Sequence, residues 1–227
     1  MTLIDAGPAG ALRVAPSILS ADFGELANAV REIDGQTDWL HVDVMDGHFV
    51  PNVTIGPPVV KSLRRYSNRF FDCHLMMSEP WRFLEAFANA GADGCTVHVE
   101  VGETAALIRE ARELDLRVGL AANPDTPLGS VMPYLGEIDL LLLMTVFPGF
   151  GGQTFMVDVM TKVIGARREV DHNDLAVDIE VDGGIDVDTA PVAVRAGANV
   201  LVAGSAIFGR PKPLEAARAL REAALAR

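Results

Sequence analysis

Lysine is scarce: Lys61, Lys162 and Lys212 are the only three in 227 residues, and all fall in helical or post-strand segments. Schiff-base chemistry needs a lysine amine held in a pocket, so an aldolase with a strand-borne lysine is excluded. Cysteine is scarcer, with only Cys73 and Cys95. Each alternates with polar residues of its run and so points away from them, which argues against a disulfide or a thiol nucleophile and for small buried hydrophobes. Basic residues number 19 against 31 acidic ones, a net charge of −12, and they form no stripe. A nucleic-acid partner or an anionic membrane surface is therefore not expected, and an anionic ligand would need a local site. No apolar run is long: the stretch from Ile138 to Phe147 is broken by Asp139 and falls far short of the ~20 residues that span a bilayer. Met1 to Arg13 has neither a basic nor an apolar leader segment, and a cytoplasmic protein is expected.

What is present suits a fold of aliphatic strands and tight turns. Hydrophobic residues make up 49%, aromatics only 6%, and there are 21 glycines. Short β-branched or aliphatic runs recur at 13–16, 39–45, 71–76, 94–99, 117–121, 138–145, 176–181 and 199–203. Between them lie segments of helical period at 22–33, 103–114, 157–170 and 213–226, and one after Ser78. In that last helix Ser78 is placed to cap, Pro80 suits the first turn, Leu84, Phe87 and Ala88 form the core stripe and Gly91 ends it. The segment between the fifth and sixth strands is interrupted by Pro127 and Pro133. Eight strand–helix units in one domain predict a (β/α)8 TIM barrel of parallel strands behind an N-terminal extension of residues 1–12, with its chemistry at the strand C-termini. An open doubly wound sheet is the rival, but no G-x-G-x-x-G follows the first strand.

Side chains alternate along a strand, so His41, Asp43 and Met45 share one face, and their polarity turns that face toward the pocket. The same parity aligns His74 with Met76, His98 with Glu100, and Glu180 with Asp182, and it places Met144 at the pocket; His48 and His172 lie elsewhere, in a loop and at a helix end. His41, Asp43, His74 and Asp182 then make an N2O2 set suited to one divalent ion such as Zn, Fe, Mn or Co. A metal between two carboxylates can polarise a ketone and its neighbouring hydroxyl while one aspartate removes a proton and the other returns one from the opposite face, which is epimerisation. Met45, Met76 and Met144 would give a soft, dry floor. The glycine turns 148–153, 182–184 and 203–205 expose backbone N–H groups that can hold a substrate phosphate. An Asp-x-Lys-x-x-Asp decarboxylase strand is disfavoured because Met45 stands where its lysine would be.

From Val14 to Phe208 the chain resembles the ribulose-phosphate 3-epimerase family. The resemblance rests on residues 15–23 (APSILSADF), 41–52 (HVDVMDGHFVPN), 74–76 (HLM), 148–153 (PGFGGQ), 181–185 (VDGGI) and 203–208 (AGSAIF). It implies a barrel enzyme of pentose-phosphate and Calvin-cycle metabolism that interconverts D-ribulose 5-phosphate and D-xylulose 5-phosphate. The same four residues would bind one metal, with Asp43 and Asp182 as the acid–base pair. It further implies that Ser17 and His74 contact substrate, that Met45, Met76 and Met144 flank the enediolate, and that Gly149, Gly151, Gly152, Gly183, Gly184, Gly204 and Ser205 hold phosphate. Members are usually homo-oligomers. The chain departs from the pattern at Met77, where a small aliphatic is usual, at Phe147, where a polar residue is common, and in its first dozen residues. A 3-epimerase of another ketose phosphate, such as D-allulose 6-phosphate, would need the same residues. A non-catalytic sugar-phosphate binding protein would be expected to lack one of the two aspartates, and both are present.

Overall fold

The computed structural model describes residue 7 and residues 9–226, so most of the expected N-terminal extension lies outside the described residues. Its eight strands are β1 (Arg13–Pro16), β2 (Trp39–Met45), β3 (Phe70–Met76), β4 (Gly94–His98), β5 (Arg117–Ala122), β6 (Leu140–Met144), β7 (Asp178–Asp182) and β8 (Val200–Ala203). All neighbours are parallel, running from β2 through β3 to β8 and on to β1. The ring closes between β1 and β2 through a bridge pairing Ser17 with His41, helped by Asp38 N–H donating to Val14 C=O at 3.0 Å. This is the expected eight-stranded barrel.

The helices are α1 (Leu26–Ile33), α2 (Pro57–Leu63), α3 (Leu84–Ala90), α4 (Thr104–Glu113), α5 (Met160–His172), α6 (Ala190–Ala196), α7 (Ser205–Phe208) and α8 (Pro213–Leu225). Two of them, α2 and α6, belong to units that the sequence reading counted without giving the helix bounds: both are seven residues long and carry Pro in their first turn, where its missing N–H costs nothing. The expected helix after Ser78 also shifts. Pro80–Arg82 forms a 3-10 turn, α3 begins at Leu84, and Ser78 spends its N–H on Asp46 Oδ2 instead of capping. Leu84, Phe87 and Ala90 are its buried residues, and left-handed Gly91 ends it as expected. Between β5 and β6 only 3-10 turns form, as the two prolines require.

Outward-facing strand residues, Cys73 and Cys95 among them, join the main apolar layer under the helices, and both thiols are free and buried. Inside the ring the residues stack in levels set by the register. Val202 reaches the rim cavity beside Asp182, and the rest of its cluster, Trp39, Phe70, Leu140 and Val200, fills the lower part with Ala15. Above them come His41, Asp72 and Glu180, and then Asp43, His74 and Asp182. Gly119 makes room in the middle level: a Cβ there would stand 2.1 Å from Thr96 Oγ1, and the space lets that hydroxyl donate to Asp72 Oδ1 at 2.9 Å.

Below this stack sits an ionic network. Buried Asp178 accepts from Gly10 N–H at 2.9 Å, Arg13 Nη1 at 2.8 Å and Asn199 Nδ2 at 2.7 Å, with Arg117 Nη2 at 3.4 Å. Asp178→Ala strips the carboxylate from the buried Arg13 guanidinium and should cost about 3–5 kcal/mol. Urea denaturation measures it, and a loss below about 1 kcal/mol would contradict this account.

Candidate active site

At the C-terminal rim of the strands a cavity of about 490 Å³ opens. Asp43 and Asp182 stand in its wall with Met45, Met76 and Met144, Ser17, and the glycine turns after β6, β7 and β8. All the glycines singled out from sequence line it, as does Ser205. His41 and His74 are fully buried and lie outside its lining, which makes them supports of the carboxylates more than part of the wall.

One ligand atom from each of His41, Asp43, His74 and Asp182 lies within 4.8 Å of the others. Three strands supply them, β2, β3 and β7, because parity and register put His41, Asp43, His74 and Asp182 on the inner face. His41 Nδ1 contacts Asp72 Oδ2 at 2.8 Å, which turns its Nε2 into the cluster. That Nε2 is buried and makes no hydrogen bond, although Asp43 Oδ1 stands 3.3 Å away. A buried ring nitrogen left with no partner, facing two carboxylates and a second imidazole, fits a divalent ion. Asp43 Oδ1 also lies 3.1 Å from His74 Nδ1, while its Oδ2 accepts a 2.5 Å hydrogen bond from Ser17 Oγ. Ser17 therefore fixes Asp43 as well as lining the cavity.

The electrostatics separate the two carboxylates. Burial opposes the charge on Asp43, but His41 and His74 beside it hold it well below the usual carboxylate range. Burial and repulsion from Asp43 push Asp182 up to about 7. Burial takes His74 down to about 4 despite its contact with Asp43, which leaves its ring neutral. For His41 burial is outweighed by Asp43, Asp72 and Glu180, which raise it. Glu180 is itself pushed well up, by burial and by Asp72, and neither of its oxygens finds a hydrogen bond. Glu100 stays ionised, at about 2, because hydrogen bonds from His98, Asn123 N–H and Thr126 outweigh its burial.

The turn after β7 shapes one side of the cavity. Gly183 and Gly184 have φ of 121° and 65°, and a Cβ on Gly184 would come 2.5 Å from Phe155 N. No other residue type fits that close approach. Arg210, which sequence reasoning missed, is the only lysine or arginine among the described residues of the lining. It sits past α7, beyond the strand ends where parity could find it. Asp72 was missed too, although it shares the parity of His74. Of the two departures from pattern, Met77 is buried in the apolar layer and Phe147 is exposed.

The sequence model of the Ribulose-phosphate 3 epimerase family matches residues 13–208. The cytoplasmic isoform of ribulose-phosphate 3-epimerase from Oryza sativa subsp. japonica is 46% identical over 220 residues, covering 94% of this chain and 95% of its own. Ribulose-phosphate 3-epimerase of Mycobacterium tuberculosis H37Rv is 46% identical over 220 residues, 96% of each chain. That of Bacillus subtilis strain 168 is 47% identical over 207 residues, 88% of this chain and 93% of its own. Among solved structures, KGPDC from Streptococcus mutans superposes with a TM-score of 0.70 at 16% identity, over 94% of this chain and 97% of that one. 3-hexulose-6-phosphate synthase from Salmonella typhimurium gives 0.71 at 20% identity, over 94% and 99%. At these identities the two structures speak for the fold alone.

Proposed function

Because the chain belongs to the ribulose-phosphate 3-epimerase family, we propose that Asp43 and Asp182 are the opposed acid–base groups with which it interconverts D-ribulose 5-phosphate and D-xylulose 5-phosphate. The observation that carries this reading is the pair itself: two carboxylates on one cavity wall, with ligand oxygens within 4.8 Å, one held ionised and the other raised to about 7. Environments that push two carboxyl groups apart set up one base and one acid.

Ionised Asp43, steadied by Ser17, takes the C3 proton of one epimer, leaving an enediolate, and the carboxylic acid of Asp182 delivers a proton to the other face of C3. For the reverse reaction the roles exchange. Met45, Met76 and Met144 keep the reacting carbons dry, which strengthens every electrostatic contact there. His41, Asp43, His74 and Asp182 would hold one divalent ion of the Zn, Fe, Mn or Co class, a Lewis acid for the charge that develops on the substrate oxygens. His74, behind the wall, serves as ligand. The turns at Gly149, Gly151, Gly152, Gly183, Gly184, Gly204 and Ser205 offer the phosphate neutral N–H donors, and Arg210 adds the one positive charge. An acidic protein can hold a phosphate this way.

The test is turnover of D-ribulose 5-phosphate in D2O. Deuterium should enter C3 and kcat/KM should exceed that for D-allulose 6-phosphate; a clear preference for the hexulose phosphate would move the assignment to that substrate, and binding without turnover would point to a non-catalytic protein. A cytoplasmic homo-oligomer completes the proposal. The rice relative's cytoplasmic name supports the compartment, and the family resemblance is what suggests the oligomer. No helix among the described residues is long and apolar enough to cross a membrane.

A further inference from the structure

Parity singles out His98 and Glu100 with the ligands, yet the reaction as derived uses neither. Their contacts give them a task. His74 turns Nδ1 toward Asp43 Oδ1 at 3.1 Å and Asp182 Oδ2 at 3.9 Å, while its Nε2 meets His98 Nε2 at 2.8 Å. Two ring nitrogens at that distance share one proton, so one must donate and the other accept. On the far side His98 Nδ1 stands 3.1 Å from Glu100 Oε2. A carboxylate there requires a proton on His98 Nδ1, which leaves His98 Nε2 as an acceptor, places the His74 proton on Nε2 and leaves the lone pair of His74 on Nδ1. The opposite assignment sets the His98 lone pair against the carboxylate and gives His74 Nδ1 a proton where an ion would bind.

Glu100 is itself anchored. Its Oε1 accepts from Asn123 N–H at 2.7 Å and from Thr126 Oγ1, and Lys162 Nζ ties that loop down through the carbonyls of Asn123, Pro124 and Thr126. His41 gets the corresponding support from Asp72 directly, at 2.8 Å.

We propose that His98 and Glu100 are positioning residues, a relay that holds His74 in the tautomer whose Nδ1 can ligate a divalent cation. This rests on the metal reading given above. Carboxylates behind ligand histidines typically change metal affinity by roughly 10–100-fold, and here one of the two acts through a second imidazole.

The test uses the full chain stripped of metal, titrated with Zn²⁺ and with Co²⁺ against a competing chelator, beside ¹⁵N NMR of histidine-labelled protein. Glu100→Gln and His98→Phe should each weaken Zn²⁺ binding by about tenfold or more, and Thr126→Val, which removes one anchor of Glu100 but leaves its carboxylate held by Asn123 N–H and facing His98, should stay within about twofold of wild type. In wild type loaded with Zn²⁺ the NMR should report His74 as one tautomer protonated at Nε2, and in His98→Phe as a mixture. If His98→Phe does not fold, the nearly isosteric Glu100→Gln carries the test. Unchanged affinity in a folded Glu100→Gln, or an equal loss in Thr126→Val, would overturn the relay while leaving the metal site standing. A wild-type chain that binds neither ion would overturn the metal reading and the relay with it.

Discussion

Asp43→Asn and Asp182→Asn should each lower kcat/KM by about 10³- to 10⁴-fold, while phosphate-dependent binding of the substrate largely survives. Each removes a proton carrier from the pair and leaves the backbone N–H groups of the glycine turns in place, including those of the turn that Asp182 opens. The two losses are expected to be of similar size, because epimerisation needs both faces of C3 served. Each aspartate also belongs to the candidate ligand set, so metal content should be measured beside turnover. A variant that keeps its ion and loses turnover isolates the acid–base role. Near-normal turnover in either one would defeat the two-base mechanism.

Removing the metal should have an effect of comparable scale. Treatment with a strong chelator should cut activity by more than about 10²-fold, and adding back Zn²⁺, Mn²⁺, Co²⁺ or Fe²⁺ should restore it; full activity in a verified metal-free preparation would refute the metal role. The affinity itself should depend on pH in a definite direction. Without the ion Asp182 is pushed up to about 7 and His41 is raised, so protons held by both oppose the binding of a cation. Protons on Asp182 compete with the metal below about 7, and the raised His41 adds to that competition. Binding should weaken by about tenfold or more for each pH unit below 7, and isothermal titration in buffers of different ionisation enthalpy should find protons released on binding. A flat profile between pH 5 and 7 would contradict the assignment.

Much of this site was legible before any coordinates, because a barrel of parallel strands turns a one-dimensional alternation into a shared interior. His41, Asp43, His74 and Asp182 needed only parity and the rule that strand ends meet at one mouth. The same rule carried the three methionines and the glycine turns. What parity cannot supply is depth and lateral contact. Nothing in the spacing says that His74 meets His98 edge to edge, or that Ser17 donates its hydroxyl proton to Asp43 across the β1–β2 join. Asp72 carries the right parity but stands level with His41, one step below Asp43 and His74, where a carboxylate reads as an ordinary strand residue. Arg210 follows a four-residue helix, outside any periodic pattern. The bounds of α2 and α6 were hidden for a local reason: proline in a short apolar stretch looks like a break, yet at a first turn it starts a helix.

Seven of the eight joints of the ring are continuous strand ladders, and the eighth is a single bridge from Ser17 to His41. The mechanical seam of the barrel thus runs through the candidate active site. Ser17 grips Asp43 across that seam, and the candidate ligands on β2 and β7 flank it with β1 and β8 between them. An ion seated there acts as a rivet as well as a reagent, since whatever draws β2 and β7 together also holds the ring shut. Loading the centre and locking the barrel are one event, and the melting temperature becomes a gauge of occupancy that needs no substrate.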